Sequence, residues 1–252
     1  MNTDTTKSKE FYLQSQPNFR DLGGIITKSG KFIKPGLLFR SGDLHSVSDD
    51  DIARLEKAGL ANIIDFRSDR EREWRPDKPI STIKKTIHLT IPDAVRDMAT
   101  ELIQQGDEEG LKTLLISEYR RMVTDHIGEF SAFLDLLVTT DDLPLVFHCA
   151  AGKDRTGLAT IFLLTALGVR NGVIIENYYA TNAYNAKYAA KIIGKINEMG
   201  HNGELMRPML EVRPEYLEAA LDEIDEKYDG LEEYVTITLK ADVERLRERF
   251  LE

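Results

Sequence analysis

Between Pro144 and Leu164 the chain reads as a strand, a polar loop and a helix, and this succession constrains the fold more than any other feature. Pro144-Leu145-Val146-Phe147 is apolar without alternation, the pattern of a strand covered on both faces. Leu158 to Leu164 continues as a buried helix. Elsewhere strands and helices take turns. Ala61 to Phe66 and Thr86 to Leu89 predict strands, and Asn18 to Phe39 holds short strand-like pieces broken by Gly-Gly and Ser-Gly turns. Ser48 opens a helix that Gly59 ends, and a short charged helix from Ser68 to Trp74 stops at Pro76. Two or three helices fill roughly 93–139, the last with Ile127, Phe130, Leu134 and Leu137 on one face. Such alternation predicts an α/β fold: a central parallel or mixed sheet with helices on both faces, and extra helices after Gly168. Residues 1–16 are polar and predict a flexible segment; 17–252 reads as a single domain.

The loop between strand and helix is His148-Cys149-Ala150-Ala151-Gly152-Lys153-Asp154-Arg155-Thr156-Gly157, and it holds the only cysteine of 252 residues. A tight loop entering a helix turns successive N–H groups toward one point, where the helix dipole adds positive potential. Ala150, Ala151, Gly152 and Lys153 can supply those donors; Gly152 and Gly157 allow close approach of the backbone. Arg155 can hold two oxygens of a phosphate in a planar fork. A thiol in the same field is held as a thiolate at neutral pH, and Thr156 can donate its hydroxyl to it. Cys149 is therefore the candidate nucleophile, forming a phosphocysteine that an acid–base group must help to form and to hydrolyse. A lone cysteine can also be an inert buried residue, but here it coincides with the arginine, the threonine, the glycines and both flanks. A magnesium-nucleotide loop is excluded, because the spaced glycine and the Lys-Ser/Thr pair are missing.

Composition excludes further classes. The formal charge of −10 looks unsuited to an anionic substrate. Glu211 to Glu233, however, contains ten acidic and two basic residues, a balance of −8, so the remainder sums to −2. The acid is concentrated in one C-terminal segment and the loop can keep its own field. Nucleic acid is not an expected partner. No stretch approaches the roughly 20 apolar residues of a membrane span. The first ten residues lack an apolar core and one cysteine allows no internal disulfide, so a cytoplasmic location is expected, with export lacking a visible signal left open. No histidine pair has metal-ligand spacing, and no metal or other cofactor is expected.

The loop resembles the signature of the protein tyrosine phosphatase superfamily, and Lys153-Asp154 before Arg155 is similar to an atypical group of bacterial and fungal members. Asn18-Phe19-Arg20-Asp21-Leu22-Gly23-Gly24, Leu38 to Asp43, Ile64 to Ser68 and Val212 to Leu217 resemble further stretches of that group, so the likeness runs from about residue 17 to the C-terminus. It implies a tyrosine phosphatase-like sheet and a cysteine-dependent phosphatase acting on protein phosphotyrosine, with serine, threonine or phosphoinositide phosphates as alternatives. It also implies that His148 supports the loop and that Asp154 is the general acid. Asp93 on a separate loop is the competing acid, with Asp125 behind it. Lys153 offers a second cation, suited to a phosphoinositide, or is an ordinary solvated lysine, and Asp65 at a strand end either orients Lys153 or Arg155 or serves a cap or turn. Arg40 and Arg67 either face the phosphate or pair with acids. About 185–211 is either a helical lid, as in some relatives, or an ordinary amphipathic helix with a solvated edge of Lys187, Lys191 and Lys195. The alternative outside enzymes is a catalytically silent phosphate-binding module.

Overall fold

The computed structural model describes residues 11–252 except residue 17. A five-stranded mixed sheet lies at its centre, formed by β1 (Arg20–Asp21), β2 (Leu38–Ser41), β3 (Asn62–Asp65), β4 (Lys85–His88) and β5 (Leu145–His148). The order is β1-β2-β5-β3-β4, with β1 antiparallel and the other neighbours parallel. β5 sits in the middle, and all four of its residues are buried. Successive side chains leave a strand on opposite faces, so the lack of alternation in Leu145-Val146-Phe147 has a direct cause. Leu145 and Phe147 join Leu38 and Ile64 in the larger core, whereas Val146 joins Phe39 and Ile63 in the smaller one.

The connecting helices cover both faces. They are α1 (Asp49–Lys57), α2 (Asp69–Trp74), α3 (Arg96–Gln105), α4 (Glu108–Asp125), α5 (Ile127–Thr139), α6 (Arg155–Ala166), α7 (Asn171–Glu198), α8 (Arg207–Leu210), α9 (Pro214–Tyr228), the single turn α10 (Leu231–Glu233) and α11 (Val243–Phe250). Ser48 caps α1 by accepting from the Asp51 N–H. Phe130, Leu134 and Leu137 of α5 are buried, and Ile127 packs at their margin. Phe130 meets Phe162 edge-on at 5.0 Å and Phe133 lies 4.9 Å from Phe147, tying α5 to α6 and to β5. Truncating Phe130 to alanine is a change of the kind that costs about 3–5 kcal/mol.

Three features differ from the sequence expectation or extend it. Of the segment read as flexible, residues 1–10 lie outside the described residues, whereas 11–16 pack on the body. Leu13 is buried beside Phe19 and Phe39, and Ser15 donates from both N–H and hydroxyl to Asp51. The helix expected over 185–199 is the second half of α7, which runs unbroken for 28 residues. Its lysines Lys187, Lys191 and Lys195 are exposed, while Ala189 and Ile193 face the protein. Acidic α9 turns Leu217 and Ile224 inward and leaves its charges outside.

Parallel pairing aligns the ends of three strands. Ser41 and Asp65 stand in register with His148 from either side. The loops leaving β2, β3 and β5 therefore emerge together, at the place where the chain order reverses across the sheet. Open α/β sheets bind ligands at such a point.

Candidate active site

The loop after β5 is shaped from behind. Asn18 Nδ2 donates to the carbonyls of Ala151 and Gly152 at 2.8 and 3.1 Å, Arg40 Nη2 donates to Gly152 at 2.8 Å, and the Asp43 N–H donates to Ala150 at 2.9 Å. With these carbonyls held outward, the N–H groups of the loop are left for an anion. Gly152 has φ +68°, and a Cβ there would lie 2.3 Å from the Ser41 carbonyl oxygen, so no other residue fits. Arg40 is fully buried and also donates to Asn177 of α7. It supports the loop's backbone rather than pairing with an acid. Burial without a carboxylate partner lowers its pKa well below the ordinary arginine value.

Cys149 is buried at the floor of a cavity of about 170 Å³. Asp154 and Arg155 line it with Asp93, Glu118 and Tyr119, and Val95, Leu115, Met122 and Met209 supply an apolar wall. Roomier hollows between α6 and α11 and between α7 and α8 are not lined by the cysteine. Thr156 has a buried hydroxyl with no hydrogen-bond partner among the described residues, Cys149 included.

Arg155 opens α6 and is clamped by Glu71, with Nη1–Oε2 at 2.8 Å and Nη2–Oε1 at 2.7 Å; Nη1 also donates to the Ile91 carbonyl at 3.0 Å. This fork fixes the guanidinium plane. It leaves Nε and the second Nη2 hydrogen to meet a phosphate. Burial alone would raise the Glu71 carboxyl, but Arg155 and the Ser68 donors bring it down to about 2. The same carboxylate closes a reciprocal cap with Ser68 at the start of α2. Glu71 was not among the residues singled out from sequence, although Ser68-x-x-Glu71 is the pattern that marks such a cap.

His148 is buried, with Nε2 3.1 Å from Asp77 Oδ2 and Nδ1 3.1 Å from the Cys149 carbonyl oxygen. Burial opposes its charge, but Asp77 and Asp65 outweigh burial and raise its pKa to about 9. Asp65 does not orient Lys153 or Arg155. Its carboxylate accepts from Arg67 Nε at 2.9 and 3.1 Å and from Nη2 at 2.8 Å, because Arg67 folds back over the strand end. Arg67 reaches Asp77 as well, so it pairs with acids and does not face the phosphate. Asp65, Asp77 and His148 bring ligand atoms within 4.8 Å of one another, a spacing a metal ion could use. Arg67 already supplies the positive charge there.

Lys153 is buried rather than solvated, its Nζ donating to Asp154 Oδ1 at 2.8 Å and to the Glu211 carbonyl at 3.2 Å. Asp154 Oδ1 accepts a second bond at 2.5 Å from Tyr119, whose hydroxyl also meets Tyr178 of α7 at 2.8 Å. Oδ2 has no hydrogen-bond partner among the described residues. Asp93 lines the same cavity, and burial raises its carboxyl despite Arg155 nearby. Asp125 falls out as an acid candidate: it is exposed and bound to Arg121. Tyr119, Tyr178, Asp77 and Asn177 carried no sequence signal beyond an ordinary helix or loop pattern.

A strand–loop–helix with a cysteine at its floor, an arginine clamped by a buried glutamate and a carboxyl at its rim defines a cysteine-dependent phosphatase. The family model described as tyrosine phosphatase family matches residues 11–252, and the chain belongs to that family as a protein-tyrosine phosphatase. A Cupriavidus necator protein named as a tyrosine-protein phosphatase is 32% identical over 241 residues, covering 93% of this chain and 85% of the relative. The triple specificity protein phosphatase PtpB of Mycobacterium tuberculosis is 27% identical over 251 residues, covering 86% and 90%. Among solved structures, a variant of Pseudomonas aeruginosa TpbA in complex with phosphotyrosine covers 86% of this chain and 88% of its own, at 16% identity and a TM-score of 0.32.

Proposed function

We infer that the enzyme hydrolyses protein phosphotyrosine through a phosphocysteine at Cys149. The observation that carries this reading is the cavity itself: a thiol floor, the Arg155 fork and an apolar wall of Val95, Leu115, Met122 and Met209 suited to an aromatic ring. The Cys149 sulfur attacks phosphorus, the P–O bond to the tyrosine breaks, and Asp154 gives its proton to the departing phenolate. Asp154, now a carboxylate, takes a proton from water as that water attacks the phosphocysteine. Phosphate leaves and the thiolate returns. Arg155 and the loop N–H groups carry the charge gathered on the equatorial oxygens in both steps.

Ala150, Ala151, Gly152, Thr156 and Gly157 act as the phosphate cradle, with His148 and Asp65 as its support. The name triple specificity, borne by the mycobacterial relative, supports tolerance beyond phosphotyrosine. Lys153 lends the phosphoinositide reading little, since its ammonium is spent on Asp154 and Glu211. The segment at about 185–211 acts as a wall rather than a moving lid, a reading supported by its continuity with α7, the Asn185 bond to the Ala151 carbonyl and the burial of Ala189 and Ile193. A cytoplasmic location belongs to the same proposal; no helix among the described residues is long and apolar enough to cross a membrane.

The test is a panel of phosphopeptides and phosphoinositides with wild type and Cys149→Ser. Turnover is expected to vanish in the variant while phosphopeptide stays bound and can be recovered with it. Hydrolysis that survives Cys149→Ser would overturn the covalent mechanism. Wild type that binds aryl phosphates without turning them over would make the protein a silent phosphate-binding module.

A further inference from the structure

Glu118 is a buried carboxyl that the mechanism above does not use. It sits on α4 one residue before Tyr119 and lines the Cys149 cavity, yet only 9% of it is exposed. Among the described residues no N–H or O–H group donates a hydrogen bond to it; Arg121, one turn along the same helix, approaches at 3.6 Å from the solvent side. A carboxyl in that position is costly unless it holds a proton or serves whatever enters the cavity. Asp93, on the loop after β4, lines the same cavity. The cations that line the cavity are already engaged: Arg155 with Glu71, and Lys153 with Asp154 and the Glu211 carbonyl.

Resting on the phosphatase reading, we propose that Glu118 is a specificity-determining residue: ionised, it bars substrates with a second anionic group beside the scissile phosphate; protonated, it admits them. A monophosphate on a neutral aromatic ring presents only apolar surface to this wall. A bisphosphorylated ring brings a second phosphate toward it, with no free cation among the described cavity residues to receive that charge.

The groups that face Glu118 set when the barrier operates. Asp93 from the neighbouring loop and Asp125 on α4 itself oppose its ionisation, whereas Arg121 and Arg155 favour it. Burial is the largest influence, and together these place its pKa at about 7. Selectivity against polyanions therefore strengthens as pH rises through neutrality and relaxes below it.

The test uses the full chain and two competitive inhibitors that do not titrate in the range, benzenesulfonate and benzene-1,3-disulfonate, against hydrolysis of p-nitrophenyl phosphate. In wild type the ratio of inhibition constants, disulfonate over monosulfonate, is expected to rise about tenfold between pH 5.5 and 8.5, the scale of one unit charge acting across a partly hydrated cavity. Glu118→Gln keeps the shape, removes the charge, and is expected to flatten that profile at its low-pH level. The variant is then expected to gain on a soluble inositol bisphosphate at pH 8 relative to a phosphotyrosine peptide. A ratio that stays flat in wild type overturns the proposal even if the variant does not fold. So does a rise that persists in Glu118→Gln, which would place the barrier at Asp93. Failure to hydrolyse p-nitrophenyl phosphate at any pH would instead count against the phosphatase reading, and the two failures are distinguishable.

Discussion

Glu71 holds Arg155 by two hydrogen bonds of 2.8 and 2.7 Å with the same carboxylate that caps its own helix. One acid thus couples the start of α2 to the phosphate clamp. Glu71→Ala leaves the guanidinium buried without a counter-charge, and an expected loss of about 3–5 kcal/mol should register in urea unfolding. Glu71→Gln keeps the volume and one acceptor. It is expected to lower kcat/KM for p-nitrophenyl phosphate by roughly 100-fold, since the fork no longer fixes the arginine plane. Unchanged kinetics in Glu71→Gln would mean that the Ile91 carbonyl orients Arg155 unaided.

The proton donor is separable by leaving group. Asp154→Asn is expected to slow phenyl phosphate by about 100-fold or more and an activated aryl phosphate far less, because a good leaving group needs no proton. Asp93→Asn is expected to slow both alike and modestly. The reverse pattern would move the role to Asp93. Tyr119→Phe removes one of the two donors on Asp154 Oδ1, and a fall in kcat of about threefold to tenfold is expected from the loss of one hydrogen bond.

Two glycines make a controlled pair. Gly152 and Gly24 both have positive φ, at 68° and 81°, but only Gly152 would drive a Cβ into backbone, whereas Gly24 faces open space. Gly24→Ala should cost about 1 kcal/mol of stability and leave turnover intact. Gly152→Ala must displace the loop from β2, and phosphate binding measured by calorimetry is expected to disappear. Retained binding in Gly152→Ala would show that the loop has another stable shape.

Stability should depend on pH through the buried His148–Asp77 pair. His148 is raised from 6.5 to about 9, so its contribution is complete below pH 6.5 and is lost as pH climbs through 9. Asp77 is pulled from 3.8 to about 2, against burial, chiefly by His148; its contribution is complete above pH 3.8 and is lost as pH falls through 2. Denaturant titrations of wild type should therefore weaken on the alkaline side of neutrality. Asp77→Asn is expected to lower the neutral plateau by about 3 kcal/mol and to flatten the alkaline decline. A decline of undiminished slope in the variant would assign it to other groups.

Sequence made the strands and the loop legible because both are written in short contiguous patterns. Leu145-Val146-Phe147 declares a doubly covered strand, and the residues of the loop are neighbours in the chain. The support was illegible for the opposite reason. Glu71 reaches Arg155 across 84 positions and Tyr119 reaches Asp154 across 35, and neither spacing has a periodic signature. Tyr119 and Glu118 sit in α4, where an aromatic residue reads as core and a carboxyl as surface; Tyr119 is both core and ligand, and Glu118 is not surface at all. Asp65 was read from its place at a strand end, but a partner two residues away, Arg67, claimed it first. Leu13 was missed because three apolar residues in polar surroundings give too short a pattern to distinguish packing from fraying.

The middle of α7 backs the whole site. Asn177 receives Arg40, Asn177 and Thr181 receive Arg20, Tyr178 meets Tyr119, and Asn185 reaches the Ala151 carbonyl. Positions 177, 181 and 185 fall on one edge, a turn apart. Ile174 and Tyr178 of the same helix belong to the larger core, so the backing of the catalytic loop and the packing of that core share one element. Loss of activity on warming is therefore expected to coincide with the global melt, and amide exchange along 177–185 to follow that of the core.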